Sequence, residues 1–475
     1  MASATPTRPL RPSPPARPAP RQRSATPSLS KSRFTTGLQC HRWLWWSVAE
    51  PDAPELVTTP ETQAIFDQGN HVGDVARSYI PGGQLIDLPY WEKEKRVEAT
   101  RKAIAAGKRV IYEASFLAEG VFVSVDILHR RPRANGWTLS EVKSTTKVKP
   151  QHIPDAAVQT HVLRRSGLPV VQTELMHLNR ECRHPDLSNL FTRTVVSDDV
   201  ETYLPEVPGQ VKAQLTMLGR ATPPTVETGP HCKAPYECPF LERCHAAVDN
   251  TPPSGEPVIA SGLAAALASL KAPIAHFDFE TINPAIPVWP GCRPYDQVPV
   301  QFSAHIEPTR RGGRARHHEW LADGRDDPRP GIARALVDAL AGAGSIIAWH
   351  KPFESGRLQE LQEAVPELAD ELQGVIDRLV DLLPITRKHV KHPAFGGSYS
   401  LKAVAPVLVP GLRYDEMEIG EGGAASRVLA SMLLGPEMSA ADKGATRKAL
   451  LAYCAQDTSA TMGVLAWLRK ATSGY

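Results

Sequence analysis

Between residues 109 and 178, apolar and polar side chains alternate in four strand-length runs: RVIYEASF, GVFVSVDILHR, WTLSEVKS and LPVVQTELMHL. β-branched and aromatic residues dominate them, so each is predicted to be a strand. Between the third and fourth runs, DAAVQTHVLRRSG spaces its apolar residues as one face of a helix. A second region uses the same alphabet in a different order. GLAAALASL predicts a short helix, PIAHFDFETI and VPVQFSAHIEP predict strands, and SIIAWHKPF predicts a strand running into a helix. ATRKALLAYCAQDTSATMGVLAWLRK then reads as one long helix. Residues 247–260, AVDNTPPSGEPVIA, concentrate Pro, Gly, Ser and Asp and read as a linker. The pattern implies two α/β domains, residues 31–246 and 261–475, without an internal repeat.

Composition changes this picture at one end only. The 475 residues are 42% hydrophobic and 22% charged, ordinary for globular domains, and no run reaches the roughly 18 apolar residues of a membrane span. Residues 1–30 are rich in Pro, Arg, Ser and Ala and are expected to form a disordered tail; an Arg- and Ser-rich transit peptide would look similar. No apolar segment follows its bases, which excludes a secretory signal. The net charge of +3 hides an asymmetry: residues 1–33 hold seven Lys/Arg and no acid, leaving 47 bases against 51 acids. Contact with nucleic acid would therefore depend on local patches and metal sites. Seven cysteines, an odd number, argue for a reducing, cytoplasmic setting and against a disulfide framework.

Three groups of residues carry candidate chemistry. In VSVDIL and LSEVKS, Asp126 ends one strand while Glu141 and Lys143 share one face of the next, with Val142 on the other. Two carboxylates on adjoining strands can hold Mg²⁺ or Mn²⁺, and a lysine beside them can orient or deprotonate a water. An exposed E-x-K pair on a surface strand is the competing reading. His71 in a predicted helix, Glu113 in IYEASF and Gln159 in the following helix add a nitrogen, an acid and a phosphate-contacting amide to the first reading.

This arrangement resembles the RecB-like nucleases of the PD-(D/E)XK superfamily, and within them the iron–sulfur members that include CRISPR-associated exonucleases and helicase-linked repair nucleases. The resemblance places the family's histidine, aspartate, E-x-K and glutamine motifs on His71, Asp126, Glu141, Lys143 and Gln159. A tyrosine that often follows the glutamine has no match; His161 lies near its place. LSKSRFTTGLQCHRWLWW is similar to the segment that carries the family's first cluster cysteine, through Leu29, Ser30, Ser32, Arg33, Leu38, Cys40 and Arg42.

The second group is HCKAPYECPFLERCH, which sets Cys232, Cys238 and Cys244 at C-x5-C-x5-C. Three thiols and a fourth ligand suit an iron–sulfur cluster or zinc, and His231 or His245 could complete a zinc site. The family resemblance implies a structural [4Fe–4S] cluster held by Cys40, Cys232, Cys238 and Cys244. It gives Cys182 no role, and that residue is expected to be a packed thiol. Trp43, Trp45 and Trp46 then pack beneath the cluster, or stack on bases.

The third group spans the second region. Asp278 and Glu280 leave one face of a strand, Glu354 begins a helix, and Tyr453 lies four residues before Asp457 on a helical face. Four acids drawn together need cations, and two divalent ions would supply them. The order resembles DnaQ-like DEDD exonucleases of the ribonuclease-H fold, in the tyrosine-bearing subtype, with Glu354 where Asp is usual. GCRPYDQVPVQFSAH and GGSYSLKAVAPVL further resemble a bacterial family of uncharacterised DEDD-like domains. Asp381 is an accessory acid on this reading, and Tyr453 would orient the attacking water or simply pack.

Together these imply a restriction-endonuclease-like core with an Fe–S cluster, followed by a ribonuclease-H-like mixed sheet with flanking helices. The expected activity is phosphodiester hydrolysis with Mg²⁺ or Mn²⁺ at two sites, on DNA with single-stranded ends, in repair or defence and alongside a helicase-type partner. An RNA-directed 3′–5′ exonuclease and a non-catalytic, cluster-bearing nucleic-acid scaffold are the alternatives.

Overall fold

The computed structural model describes residues 28–130, 133, 135–245, 255–310, 312–415 and 417–472. The expected tail, residues 1–30, lies outside these except at its end. There Leu29–Ser30 form β1, a correction to the boundary: the tail's last residues belong to the first sheet. Helices α1 (Lys31–Gln39), α2 (His41–Ala49) and α3 (Pro60–Arg77) follow, then β2 (Gln84–Leu85) and α4 (Lys93–Ala105). The first three sequence-predicted strands are β3 (Val110–Ala118), β4 (Val121–His129) and β5 (Trp137–Lys143). Helix α5 (His152–Arg165), β6 (Val170–Leu178) and β7 (Phe191–Val195) complete the sheet, and α6 (Ser197–Tyr203), α7 (Val207–Leu218) and α8 (Leu241–His245) lead out of it.

The sheet runs β2-β3-β4-β5-β6-β7 and is mixed: β3–β4, β4–β5 and β6–β7 are antiparallel, β5–β6 parallel. Because β3 fills one edge of β4 along its length, β1 and β5 divide the other. β1 pairs with Val121 and Phe122, whereas β5 pairs only with Ile127–His129. The edge therefore forks just at Asp126.

The pleat also inverts there. Ala114 and Val125 pack in the core beside Ala156 and Val158 of α5, whereas Tyr112 and Ile127 pack with Ala76 of α3. Alternation would put all four on one face. Between them Glu113 adopts φ 56°, a left-handed backbone that is unusual for a residue with a side chain.

The second sheet begins after β8 (Val258–Ile259) and α9 (Leu263–Leu267), with β9 (Ile274–Ile282), β10 (Val298–Ile306) and β11 (Arg316–Leu321) as an antiparallel set. Helix α10 (Arg329–Leu340) leads to β12 (Ser345–Ala348), α11 (Lys351–Ala364), α12 (Ala369–Asp377) and β13 (Leu379–Asp381). The strand order is β11-β10-β9-β12-β13, with β9, β12 and β13 mutually parallel. Then come α13 (Leu382–His389), β14 (Val390–Lys391), α14 (Leu401–Leu408), α15 (Gly422–Leu434) and the 33-residue α16 (Ala440–Thr472). Most of the expected linker lies outside the described residues, but its Val258 and Ile259 pair with β14 and so belong to the second unit.

Alternation on β9 sorts its side chains cleanly. Ala275, Phe277 and Phe279 enter a core with Leu336 of α10, Leu358 of α11 and Leu372 of α12, while Ile274 and Ile282 enter one with Val404 of α14 and Leu465 of α16. Asp278 and Glu280 are in register with the latter, facing α16. Among the described residues, no helix is long and apolar enough to cross a membrane.

Candidate active sites and cysteine cluster

At the fork, Asp126 Oδ2 accepts the N–H of Val142 at 2.7 Å, so the carboxyl replaces a missing ladder bond and is fixed beside Glu141. Glu141, 2% exposed, receives Lys31 Nζ at 2.6 Å and Lys143 Nζ at 2.8 Å on Oε1, and Gln159 Nε2 at 2.9 Å on Oε2. Lys143 also bonds Asp155, and Glu113 stands behind Asp126, tied to Arg77 and Arg96.

Burial, then the neighbouring Glu141, pushes the Asp126 carboxyl up to about 8. Burial works the same way on Glu141, but Lys143 and Lys31 outweigh it and hold that carboxyl well below its usual range. Burial likewise opposes the charge on Lys143, and Asp155 and Glu141 overcome it, so the ammonium is held more firmly than usual. One acid is thus kept ionised by lysines while the other retains a proton at neutral pH. A cation placed between the two carboxyls would favour the ionised form of Asp126 and displace its proton.

The sequence-derived set is not gathered whole. Asp126, Glu141, Lys143 and Gln159 meet. Gln159 is fully buried, bonded to Glu141 and to Asp155 O at 3.2 Å, so it fixes the acid and has no open face for a phosphate. His71 is exposed on α3, and no described hydrogen bond joins it to this cluster. His161 pairs instead with Glu119 at 2.8 Å. Lys31 and Asp155 were missed: Lys31 lies between the Ser30 and Ser32 that carry the resemblance, while Asp155 shares a helical face with Gln159 four residues on.

In the second unit Asp278, Glu280, Glu354 and Asp457 converge. Burial, followed by repulsion from Asp457, Glu354 and Glu280, raises Asp278 well above the carboxylate range. Burial and the charge of Asp457 push Glu280 up to about 8, and burial pushes Glu354 to about 7. Asp457 is raised by burial despite hydrogen bonds from Tyr414 and Tyr453. Glu354 Oε2 is buried with no hydrogen-bond partner. Carboxyls this close, one with an orphan oxygen, fit divalent cations bound through hard oxygen ligands.

Two tyrosines and a lysine organise the rim. Tyr414 Oη donates to Asp457 Oδ1 at 2.7 Å, and Lys402 Nζ donates to Tyr453 Oη at 2.8 Å. Asp381 caps α13 through the Leu383 N–H and its charge reaches Glu354. Cys454 brings its sulfur within 4.8 Å of ligand oxygens of Asp278 and Glu280. Lys402, Tyr414 and Cys454 went unrecognised in the sequence; only Lys402 carried a signal, from its place in GGSYSLKAVAPVL.

The four cysteines line one small cavity with Arg42, Trp43, Trp46 and His231. Cys40 sits between α1 and α2, and Gln39 Nε2 reaches across to His231 O at 2.7 Å and Tyr236 O at 2.6 Å. Burial, with small contributions from the other three cysteines, pushes the Cys238 thiol to about 11. The Gly229 N–H points at Cys232 Sγ (3.5 Å) and Arg42 at Cys244 Sγ (3.7 Å). Trp46 packs on Phe240 with ring centroids 5.0 Å apart and is flanked by Arg42 and Arg243. Trp45 is buried, its indole N–H on Arg220 O at 3.2 Å. Cys182 is a buried thiol away from this cavity, near Asp186 O.

A domain of unknown function (DUF2779) matches residues 275–400, which hold Asp278, Glu280 and Glu354 and end just before Lys402. Among curated proteins, the uncharacterized protein UU173 of Ureaplasma parvum is 27% identical over 175 residues, 33% of this chain. The match spans only 25% of that relative's length. Among solved structures, an alkaline exonuclease from Laribacter hongkongensis is 15% identical with a TM-score of 0.22, over 41% of this chain and 92% of that one. SSO0001 is 12% identical with a TM-score of 0.23, over 48% and 89% respectively.

Proposed function

We propose that this chain is a metal-dependent nuclease with two active sites, each hydrolysing phosphodiester bonds. The observation that carries it is the meeting of Asp278, Glu280, Glu354 and Asp457, drawn from three separate segments, with Glu354 Oε2 left unpartnered. Divalent ions bound by such acids polarise a phosphodiester and supply hydroxide near neutral pH. The mixed five-stranded sheet with helices on both faces supports a ribonuclease-H-like, DEDD-type reading of this unit. Tyr453, with its oxygen engaged by Lys402, is left to offer its own hydrogen to Asp457 or to an attacking water.

In the first unit Asp126 and Glu141 would hold the ion. Lys143 is held protonated by Asp155 and Glu141, which suits orienting a water or a phosphate oxygen better than taking a proton. Gln159 and Lys31 fix Glu141. The fork supports the PD-(D/E)XK reading, because it sets both acids and the lysine at one opening of the sheet.

Cys40, Cys232, Cys238 and Cys244 would hold a [4Fe–4S] cluster. Among the described residues no three of these sulfurs lie within 4.8 Å of one another. A tetrahedral zinc site would set them about 3.8 Å apart, from Zn–S bonds of about 2.3 Å. The N–H groups aimed at Cys232 and Cys244 suit thiolate ligands. The cluster would pin α1 and α2 to the segment before α8, a structural duty.

DNA with single-stranded ends is the substrate this reading favours, with repair or defence as the setting; RNA is the second reading. Labelled single- and double-stranded DNA and RNA should be digested in Mn²⁺ by wild type, Asp126→Ala and Asp278→Ala. The expected result is cleavage that EDTA abolishes and that each substitution lowers, with DNA preferred. Retained binding with no cleavage of any substrate by the cluster-loaded wild type would instead establish the scaffold alternative.

A further inference from the structure

The loop from Pro284 to Gln297, which follows the acid-bearing β9, is seated on the first unit. Gly291 N–H donates to His184 O at 2.8 Å, and His184 N–H donates to Cys292 O at 3.0 Å, two backbone bonds that tie the loop to the first unit. Arg180 reaches Pro294 O at 2.7 Å. Ala285, Ile286 and Tyr295 enter one apolar cluster with Val72, Leu178 and Val142. Tyr295 adopts φ 64°, costly for a bulky side chain and sustained only where the surroundings dictate it. Its N–H bonds Pro284 O at 3.1 Å, and its hydroxyl donates to Ser144 O.

The place where this loop lands matters. Val142 and Ser144 bracket Lys143, and the Val142 N–H is the group that holds Asp126. Packing under Val142 and a hydrogen bond on Ser144 together fix the strand end on which Glu141 and Lys143 stand. That end has left β4 and is paired on one edge only, by β6, so the loop adds a second support.

We infer that the Pro284–Gln297 loop of the second unit is a positioning element of the first active site, with Tyr295 its principal residue. The inference rests on the nuclease reading of the Asp126 site for its catalytic consequence, but not for the clamp itself. The two units then form a single working body, in which the second adds support to the strand end of the first. Tyr295 touches no reacting atom; it acts through Val142, Lys143 and Ser144.

Tyr295→Phe in the full chain removes the hydroxyl and keeps the ring. Three measurements test it: amide hydrogen exchange across residues 142–146 in metal-free protein, the melting temperature, and single-turnover cleavage in the Asp278→Ala and Asp126→Ala backgrounds. The expected result is faster exchange at 142–146 with an unchanged melting temperature. Cleavage in the Asp278→Ala background should fall on the order of ten-fold, at unchanged DNA affinity, since small misplacements of reacting groups carry large rate costs. Cleavage in the Asp126→Ala background should not change. Unchanged exchange overturns the clamp, and equal loss in both backgrounds overturns the positioning role. If the Asp278→Ala protein shows no Asp126-dependent cleavage, the nuclease reading fails, while the exchange measurement still decides the clamp. Should Tyr295→Phe not fold, Arg180→Met, which cuts the loop's tie at Pro294, carries the same expectations.

Discussion

Lys402 places its ammonium 2.8 Å from the Tyr453 hydroxyl and 4.8 Å from the centre of that ring, one helical turn from Asp457. Its charge lowers both Glu280 and Asp457, opposing the burial that raises them. A lysine contributed by α14 is thus the counter-charge of a carboxyl cluster built from β9, α11 and α16.

Lys402→Met should therefore weaken the metal-free protein more than the metal-loaded one. Losing one partner of a mostly buried charged network costs on the order of 1–3 kcal/mol. Melting curves in EDTA should show the loss, and Mn²⁺ should recover most of it. Equal losses in both conditions would mean that Lys402 only packs.

The carboxyl cluster also sets a pH dependence. Glu280 is raised to about 8 and Glu354 to about 7, so between pH 4.5 and 8 the folded state binds more protons than the unfolded chain. Stability from these groups is fully present below the unfolded value and is lost as pH rises through the folded ones. Metal-free protein should melt lower at pH 8.5 than at pH 5.5 through this site, and Asp278→Asn should flatten the trend. Mn²⁺ should stabilise more at pH 8.5 than at pH 6, because the ion displaces protons.

Glu174 has the opposite sign. Although burial opposes it, hydrogen bonds from His129, Ser140 and Arg193 hold it down to about 2. The stability it supplies is present above about pH 4.5 and lost as pH falls toward 2. The shift converts to at most about 3 kcal/mol, and less in practice because Arg193 is partly in water. Urea unfolding of wild type and Glu174→Gln should differ at pH 7 and converge near pH 2.

On the proposed reading Cys40 is a cluster ligand, supplied from between α1 and α2, and Cys40→Ser would remove it. Protein purified with its cluster should lose its brown colour, and the first unit should melt at lower temperature. A full-strength visible spectrum in that variant would make Cys40 an ordinary buried thiol.

The sequence displayed the elements whose side chains enter a core and hid the exposed ones. β3, β4, β6, β9 and β10 alternate strongly and were readable. β7 (FTRTV) and β11 (RHHEWL) are largely exposed edge strands, paired by ladder hydrogen bonds without an apolar signature. The long terminal helix begins five residues earlier than its apolar pattern, at Ala440, where Ser439 Oγ takes the Asp442 N–H at 3.1 Å.

The site residues divide the same way. Glu141, Asp278 and Glu280 sit at strand positions whose facing follows from alternation, Asp126 sits where the pleat inverts, and Asp457 follows from its helical spacing to Tyr453. Lys31, Asp155, Lys402 and Tyr414 arrive by tertiary contact, which local pattern does not encode. The pleat inversion at Glu113 left no trace either, since neither Gly nor Asn marks its left-handed backbone. Tyr295 is the extreme case, reaching Ser144 across 151 residues of chain.

Single-turnover cleavage of end-labelled single-stranded DNA in Mn²⁺, by cluster-loaded wild type, Asp126→Ala, Asp278→Ala and the double variant, bears most directly on the two-site assignment. The expected result is a partial loss in each single variant and, in the double variant, a rate equal to that of wild type in EDTA. A double variant that cleaves at the wild-type rate would contradict it.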